Sequence, residues 1–250
     1  MAAGLIDPRA NNDEGISISD TPVKIVVGSV EAEVSFCVHP ALLQKHSNIF
    51  EAALKKEWTS GQQRIVDLWE ENPDTFTLYA QWLYTGKLFT KREPASTSYK
   101  RYAELYVLGE KLIDRTFQNR VMDATVAAKR EPDENGRKYR PNASLSSIVY
   151  SGTPKGSPLR RFMVDCYLRS GASGSIQQHA DEPDKVDHEF LMDLSAALLA
   201  NRGASKSHLE EKYRHLERGV PCTYHIHEGG NLCEGATPAD DDEDNLWMGY

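Results

Sequence analysis

The run from Asn72 to Gly86 spells out a helix with both ends marked, and the rest of the chain must accommodate it. Asn72 is a favoured N-cap, because its side-chain oxygen can accept from an amide of the first turn. Pro73 follows at the first helical position, where a missing N–H costs nothing. Phe76, Tyr79, Trp82 and Leu83 return at steps of three and four residues and so share one face. Gly86 suits the left-handed conformation that closes a helix. A face this aromatic must pack against something large.

Upstream, the chain reads as a small sheet with two short helices. Val23, Ile25 and Val27 alternate with Lys24 and Val26, and Gly28-Ser29 turns the chain. Val34, Phe36 and Val38 then point one way while Ser35 and Cys37 point the other. Leu42, Leu43, Ile49, Phe50, Ala53 and Leu54 supply apolar faces for two helices, with Ser47 as the cap of the second. Arg64 to Leu68 makes a third strand. Downstream, Tyr102, Leu105, Tyr106, Gly109 and Leu112 place a helix over 99–112, and Val121, Met122 and Val126 place another over 117–129. Phe50, Tyr79, Leu83 and Leu105 are expected to be buried in this domain. Two strands, two helices, a third strand and then further helices are read as an α+β fold, a small sheet covered by helices.

Lys129 to Lys138 is charged and contains Pro132 and Gly136, which marks a boundary. Beyond it the pattern is helical. A short helix is expected over 144–151. Ser157 and Pro158 then open a helix with the stripe Leu159, Phe162, Met163 and Cys166. A polar loop over 171–187 leads to an amphipathic helix over 189–201, with Phe190, Leu191, Leu194 and Leu198, and a charged helix over 207–218. The expected division is a flexible segment at 1–20, an α+β domain at 21–128, a linker at 129–143, a helical extension at 144–219, a Cys/His-containing segment at 220–236 and an acidic, disordered tail at 237–250. Within the first segment, Ile16-Ser17-Ile18-Ser19 alternates as a strand does, although a frayed end is the simpler reading.

The net charge of -8 argues against a general nucleic-acid binder, since phosphate neutralisation needs a basic surface. Much of the excess lies in Asp240 to Asp244, so the folded body is nearer neutral. Residues 1–20 hold no apolar core of a secretory signal, and no stretch approaches a membrane span. An intracellular protein of the cytoplasm or nucleus is expected, with its four cysteines reduced or serving as ligands.

The order and spacing of these elements resemble the BTB/POZ family. Leu83-Tyr84-Thr85-Gly86 matches the signature with which that family closes a short helix. Val23 to Gly28 and Glu33 to Val38 match its strand pair, His39 the histidine before its first helix, Ser47 to Leu54 its next helix, and Arg64 to Leu68 its third strand. The second half resembles the helical tail of fungal BTB proteins at Tyr150 to Arg161 and again at Cys222 to Glu228. The resemblance implies a protein–protein interaction module that self-associates as a homodimer or binds a partner, in some members as an adaptor for cullin-type ubiquitin ligases. It implies no enzyme, no nucleic acid and no small-molecule substrate. The partner-contacting loop it implies is Glu57 to Gly61, with Trp58 and Thr59 as contact residues; Thr59 stands where cullin-binding members carry an acid. Pro22 replaces an aspartate frequent before the first strand, with Asp20 nearby. The sheet edge near Val23 to Val27 is a second expected contact.

The chemical candidate is Cys222, His225, His227 and Cys233, whose residue types suit a closed tetrahedral zinc site, although their spacing is not that of a standard finger. No cofactor other than this possible zinc is implied. Cys37 and His39 lie two apart with no third partner close in sequence. Gly152 to Ser157 fails as a phosphate loop, because Lys155 precedes Gly156. Arg160-Arg161 reads as a solvated helix face, and Asp187-His188-Glu189 as a solvated helix start. Leu246, Trp247 and Met248 form a small apolar group after the acidic run. The readings that remain are a BTB-type interaction module, a zinc-dependent module and an enzyme without a recognisable signature.

Overall fold

A computed structural model describes residues 15–60, 65–91, 95–179, 181, 183–218 and 222–227. Two compact units divide the chain, Met1–Pro73 and Asp74–Tyr250.

The first unit is built on a three-stranded sheet. Strand β1 (Val23–Val27) leads to β2 (Val34–Val38), helices α1 (Pro40–His46) and α2 (Asn48–Ser60), and then β3 (Ile65–Leu68). The spatial order is β2-β1-β3. β1 pairs antiparallel with β2, Val23 opposite Val38 and Val27 opposite Val34. It pairs parallel with β3, Lys24 opposite Ile65 and Val27 opposite Leu68. Val23, Ile25 and Val27 are fully buried, as residues on the inner face of a central strand should be. The sequence put β1 at an edge of the sheet; it is the middle strand, because the parallel return of β3 supplies a second neighbour that its local alternation cannot announce. Ser47 opens α2 as expected, its hydroxyl accepting from the Phe50 amide at 3.3 Å. Leu42, Leu43, Phe50 and Leu54 are buried, whereas Ile49 is exposed. Residues 16–19 form no strand.

The second unit opens with α3 (Pro73–Thr85), followed by α4 (Ala95–Lys111) and α5 (Arg115–Arg130). α3 starts at the expected proline, and Gly86 closes it at φ 64°. Its aromatic face is buried as predicted. Tyr79 lies edge-on to Phe117 of α5 with centroids 4.8 Å apart, and Trp82 lies 4.9 Å from the same ring. Leu83 and Leu105 are buried too. Asp114 caps α5, accepting from the Phe117 amide at 2.9 Å, and also accepts from the Tyr79 hydroxyl at 3.0 Å.

The segment expected as a linker lies inside this unit. It is a compact turn centred on Asp133, whose carboxylate accepts from the amides of Asn135 and Arg137 and from the Tyr139 hydroxyl. The Tyr99 hydroxyl of α4 donates to the Tyr139 carbonyl at 3.0 Å. A 3-10 turn at Ala143–Leu145 then leads into α6 (Ser146–Gly152) and α7 (Pro158–Ser170). After these come α8 (Gly174–Gln177), a 3-10 turn at Pro183–Lys185, α9 (His188–Ala200), α10 (Lys206–Lys212) and α11 (His215–Arg218). The loop expected at 171–187 thus contains two short helical pieces. The single helix expected at 207–218 is broken near Tyr213, which is buried together with Leu216.

α6 sits against α4 at its terminal glycine: a Cβ on Gly152 would lie 2.5 Å from both methyls of Val107. α9 caps the bundle through Phe190, which meets the rings of Tyr150 and Tyr167 edge-on. Asp187 is the N-cap of α9, accepting from the amides of Glu189 and Phe190. Leu194 is buried, but Leu198 is 54% exposed and continues into exposed Leu199 and Met192.

Two readings of α7 are corrected. Ser157 makes no side-chain cap; its hydroxyl turns to the Tyr106 hydroxyl at 3.5 Å. Arg160 is buried rather than solvated. Its guanidinium stacks on the Tyr150 ring at 4.3 Å and donates to Thr153 Oγ1, the carbonyls of Tyr150 and Thr153, and Glu189 Oε2. Those two carbonyls lie where α6 ends, where the last carbonyls of a helix lack intrahelical partners. The planar fork of arginine satisfies both.

Candidate interaction surface and metal-ligating cluster

Among the described residues of the first unit, β2 and β3 are the outer strands of the sheet. An outer strand is a template onto which another chain can pair. On β2, Val34 is 43% exposed and Ser35 and Cys37 are exposed, and Val30 in the preceding turn is 91% exposed. Ile65 on β3 and Trp69 just after it are also exposed. Trp58 and Thr59 fall in the last turn of α2, and their side chains lie outside the described residues. Cys37 is exposed and His39 half-buried. Neither belongs to a convergent ligand set among the described residues.

The second unit brings together Cys222, His225 and His227, whose ligand atoms all lie within 4.8 Å of one another. All three are half-buried. Residues 222–225 form a turn, closed by the His225 amide donating to the Cys222 carbonyl at 3.2 Å. Cys222 stands at φ 79°, a conformation rarely adopted by a residue with a Cβ. Cys233 and the acidic tail lie outside the described residues.

Two long-range anchors hold this turn. Asn119 of α5 grips the backbone of Ile226 from both sides, donating to its carbonyl at 3.0 Å and accepting from its amide at 2.7 Å. One helical turn further along α5, Asp123 Oδ1 lies 2.9 Å from His225 Nε2. The second anchor is Tyr224, buried edge-on against Phe162 of α7. Its hydroxyl donates to Asp165 Oδ2 at 2.6 Å and sits 2.7 Å from His215 Nε2. Arg161, exposed on α7, lies over the Tyr224 ring and donates to the Thr223 carbonyl.

Burial sets the electrostatics of this anchor. It pushes the Asp165 carboxyl up to about 6, against the opposing hydrogen bond from Tyr224. Burial, reinforced by Asp165, drives the Tyr224 phenol well above its ordinary value. Burial also lowers His215 below the usual histidine range.

Sequence reasoning singled out Cys222, His225 and His227, which the structure brings together, but gave no sign of Asn119, Asp123 and Asp165. The first two lie over a hundred residues upstream of the turn, one helical turn apart on a helix otherwise marked by its apolar stripe. A polar pair beside that stripe was the available signal, and solvent is its commonest partner. No helix among the described residues is long and apolar enough to cross a membrane.

Residues 17–111 match the BTB/POZ domain family. Among solved structures, the BTB domain of zebrafish PATZ1 is similar at 18% identity, over 40% of this chain and 72% of that one, with a TM-score of 0.31. No curated protein matches the chain. The match covers the sheet and helices α1 to α4, while α5 and all that follows lie beyond it.

Proposed function

We propose that the BTB/POZ domain at residues 17–111 makes this chain a protein–protein interaction module, and that its simplest partner is a second copy of itself. The domain type is an interaction fold and not typically enzymatic. The observation that carries the reading is the outer strand β2, with exposed Val34 on it and exposed Val30 just before it. Strand addition at such an edge gains main-chain hydrogen bonds and covers these side chains. Trp58 and Thr59 are proposed as a second contact, since aromatic residues are favoured anchors at interfaces. An adaptor role follows if the captured partner is a different protein, a cullin among them. Sedimentation at several concentrations tests the reading on wild type, Val34→Lys and Trp58→Ala. Wild type is expected to dimerise. Val34→Lys should weaken the dimer with little change in melting temperature, because exposed substitutions usually shift stability by under about 0.5 kcal/mol. A wild type that stays monomeric throughout would overturn self-association.

A further inference from the structure

We propose that Cys222, His225 and His227 bind one zinc ion, and that the ion fastens the chain's 222–227 turn onto α5 and α7. One thiolate and two imidazoles form a ligand set of the kind zinc takes, with Zn–S near 2.3 Å and Zn–N about 2.0–2.1 Å. Three donors around such an ion stand within a few ångströms of one another, and these three already lie within 4.8 Å.

The surroundings favour a metal over a chance gathering of side chains. His225 Nε2 faces Asp123 Oδ1 at 2.9 Å. A carboxylate holding the far nitrogen in this way fixes the tautomer and makes the ligand a stronger base. The backbone carrying the ligands is held from both sides, by Asn119 at Ile226 and by the buried Tyr224 between Cys222 and His225. Cys222 keeps its unusual left-handed backbone within this frame, and such conformations persist where the surroundings over-determine them. All three ligands are half-buried, so an ion can reach them from solvent. The fourth position falls to water.

The test uses the full chain, stripped with a chelator and titrated with cobalt(II) and then zinc. Wild type should take up one cobalt per chain, with visible bands of a tetrahedral ion and a thiolate-to-cobalt charge-transfer band, and zinc should displace it. Zinc should raise the melting temperature, as any ligand of the folded state does. Cys222→Ser should lose the charge-transfer band while melting, metal-free, like metal-free wild type. Asp123→Asn should keep the band and bind zinc about 10- to 100-fold more weakly, the usual effect of removing a carboxylate behind a histidine ligand. The proposal is overturned if folded wild type takes up no cobalt, or if Cys222→Ser binds with unchanged spectrum and affinity. Either outcome leaves the association proposed for the BTB/POZ domain untouched, because that is read by sedimentation.

Discussion

Asp114 caps α5 and receives the Tyr79 hydroxyl, yet it is fully buried. Burial pushes its carboxyl up to about 6 against the hydrogen bonds from Phe117, Tyr79 and Thr116. The folded state therefore holds this proton more tightly than the unfolded state does. Stability from this group is full below the ordinary carboxylate value near 4 and is lost as pH rises through about 6. A shift of two units corresponds to about 3 kcal/mol. Asp114→Asn keeps the capping oxygen and removes the titration. Urea unfolding of both proteins across this range should show wild type losing about 3 kcal/mol relative to the variant between pH 4 and pH 7. A flat difference would mean that Asp114 ionises normally. At this scale the sequence was legible where a residue serves its own element. Ser47 caps α2 and Gly86 ends α3 as read. Ser157 and Arg160 were misread because each serves a neighbour: Tyr106 for one, the end of α6 for the other.

Helices with a long apolar stripe were legible almost to their ends, since burial of that stripe decides both helix and packing. The small elements were not. α8 has no buried residue, and α10 and α11 together are anchored by little more than Tyr213 and Leu216. The contact between α6 and α4 was equally hidden, because it depends on a side chain that is missing. Gly152 lets the two helices approach over Val107, whose branched side chain has little rotamer freedom to yield. Gly152→Ala should cost about 1–3 kcal/mol, the range for overpacking a filled site. Val107→Ala in the same chain should recover part of that loss. Thermal melts of the two single variants and the double variant give the coupling directly, and an additive result would place the strain elsewhere.

For the whole molecule, the sequence division at 129–143 and the spatial one at Pro73–Asp74 answer different questions. The first marks charged, exposed chain. The second divides the chain into its two compact units. Residues 134–139 are exposed, so limited proteolysis is expected to cut between Arg130 and Arg140. The nicked halves should stay together on a sizing column and part only in denaturant, because α6 packs on α4 and the 222–227 turn grips α5. Separation under native conditions would restore the linker as a true boundary. The parallel pairing of β1 with β3 has a consequence for how the first unit comes into being. As the nascent chain leaves the ribosome, β1 and β2 can meet at once, but a lone hairpin is only marginally stable. The other side of β1 waits until both helices of the crossover and Leu68 have emerged. Closing so long a loop slows folding. The parallel half of the sheet is therefore expected to form last, and until then the strand that ends up most protected is open along one side to a wrong neighbour.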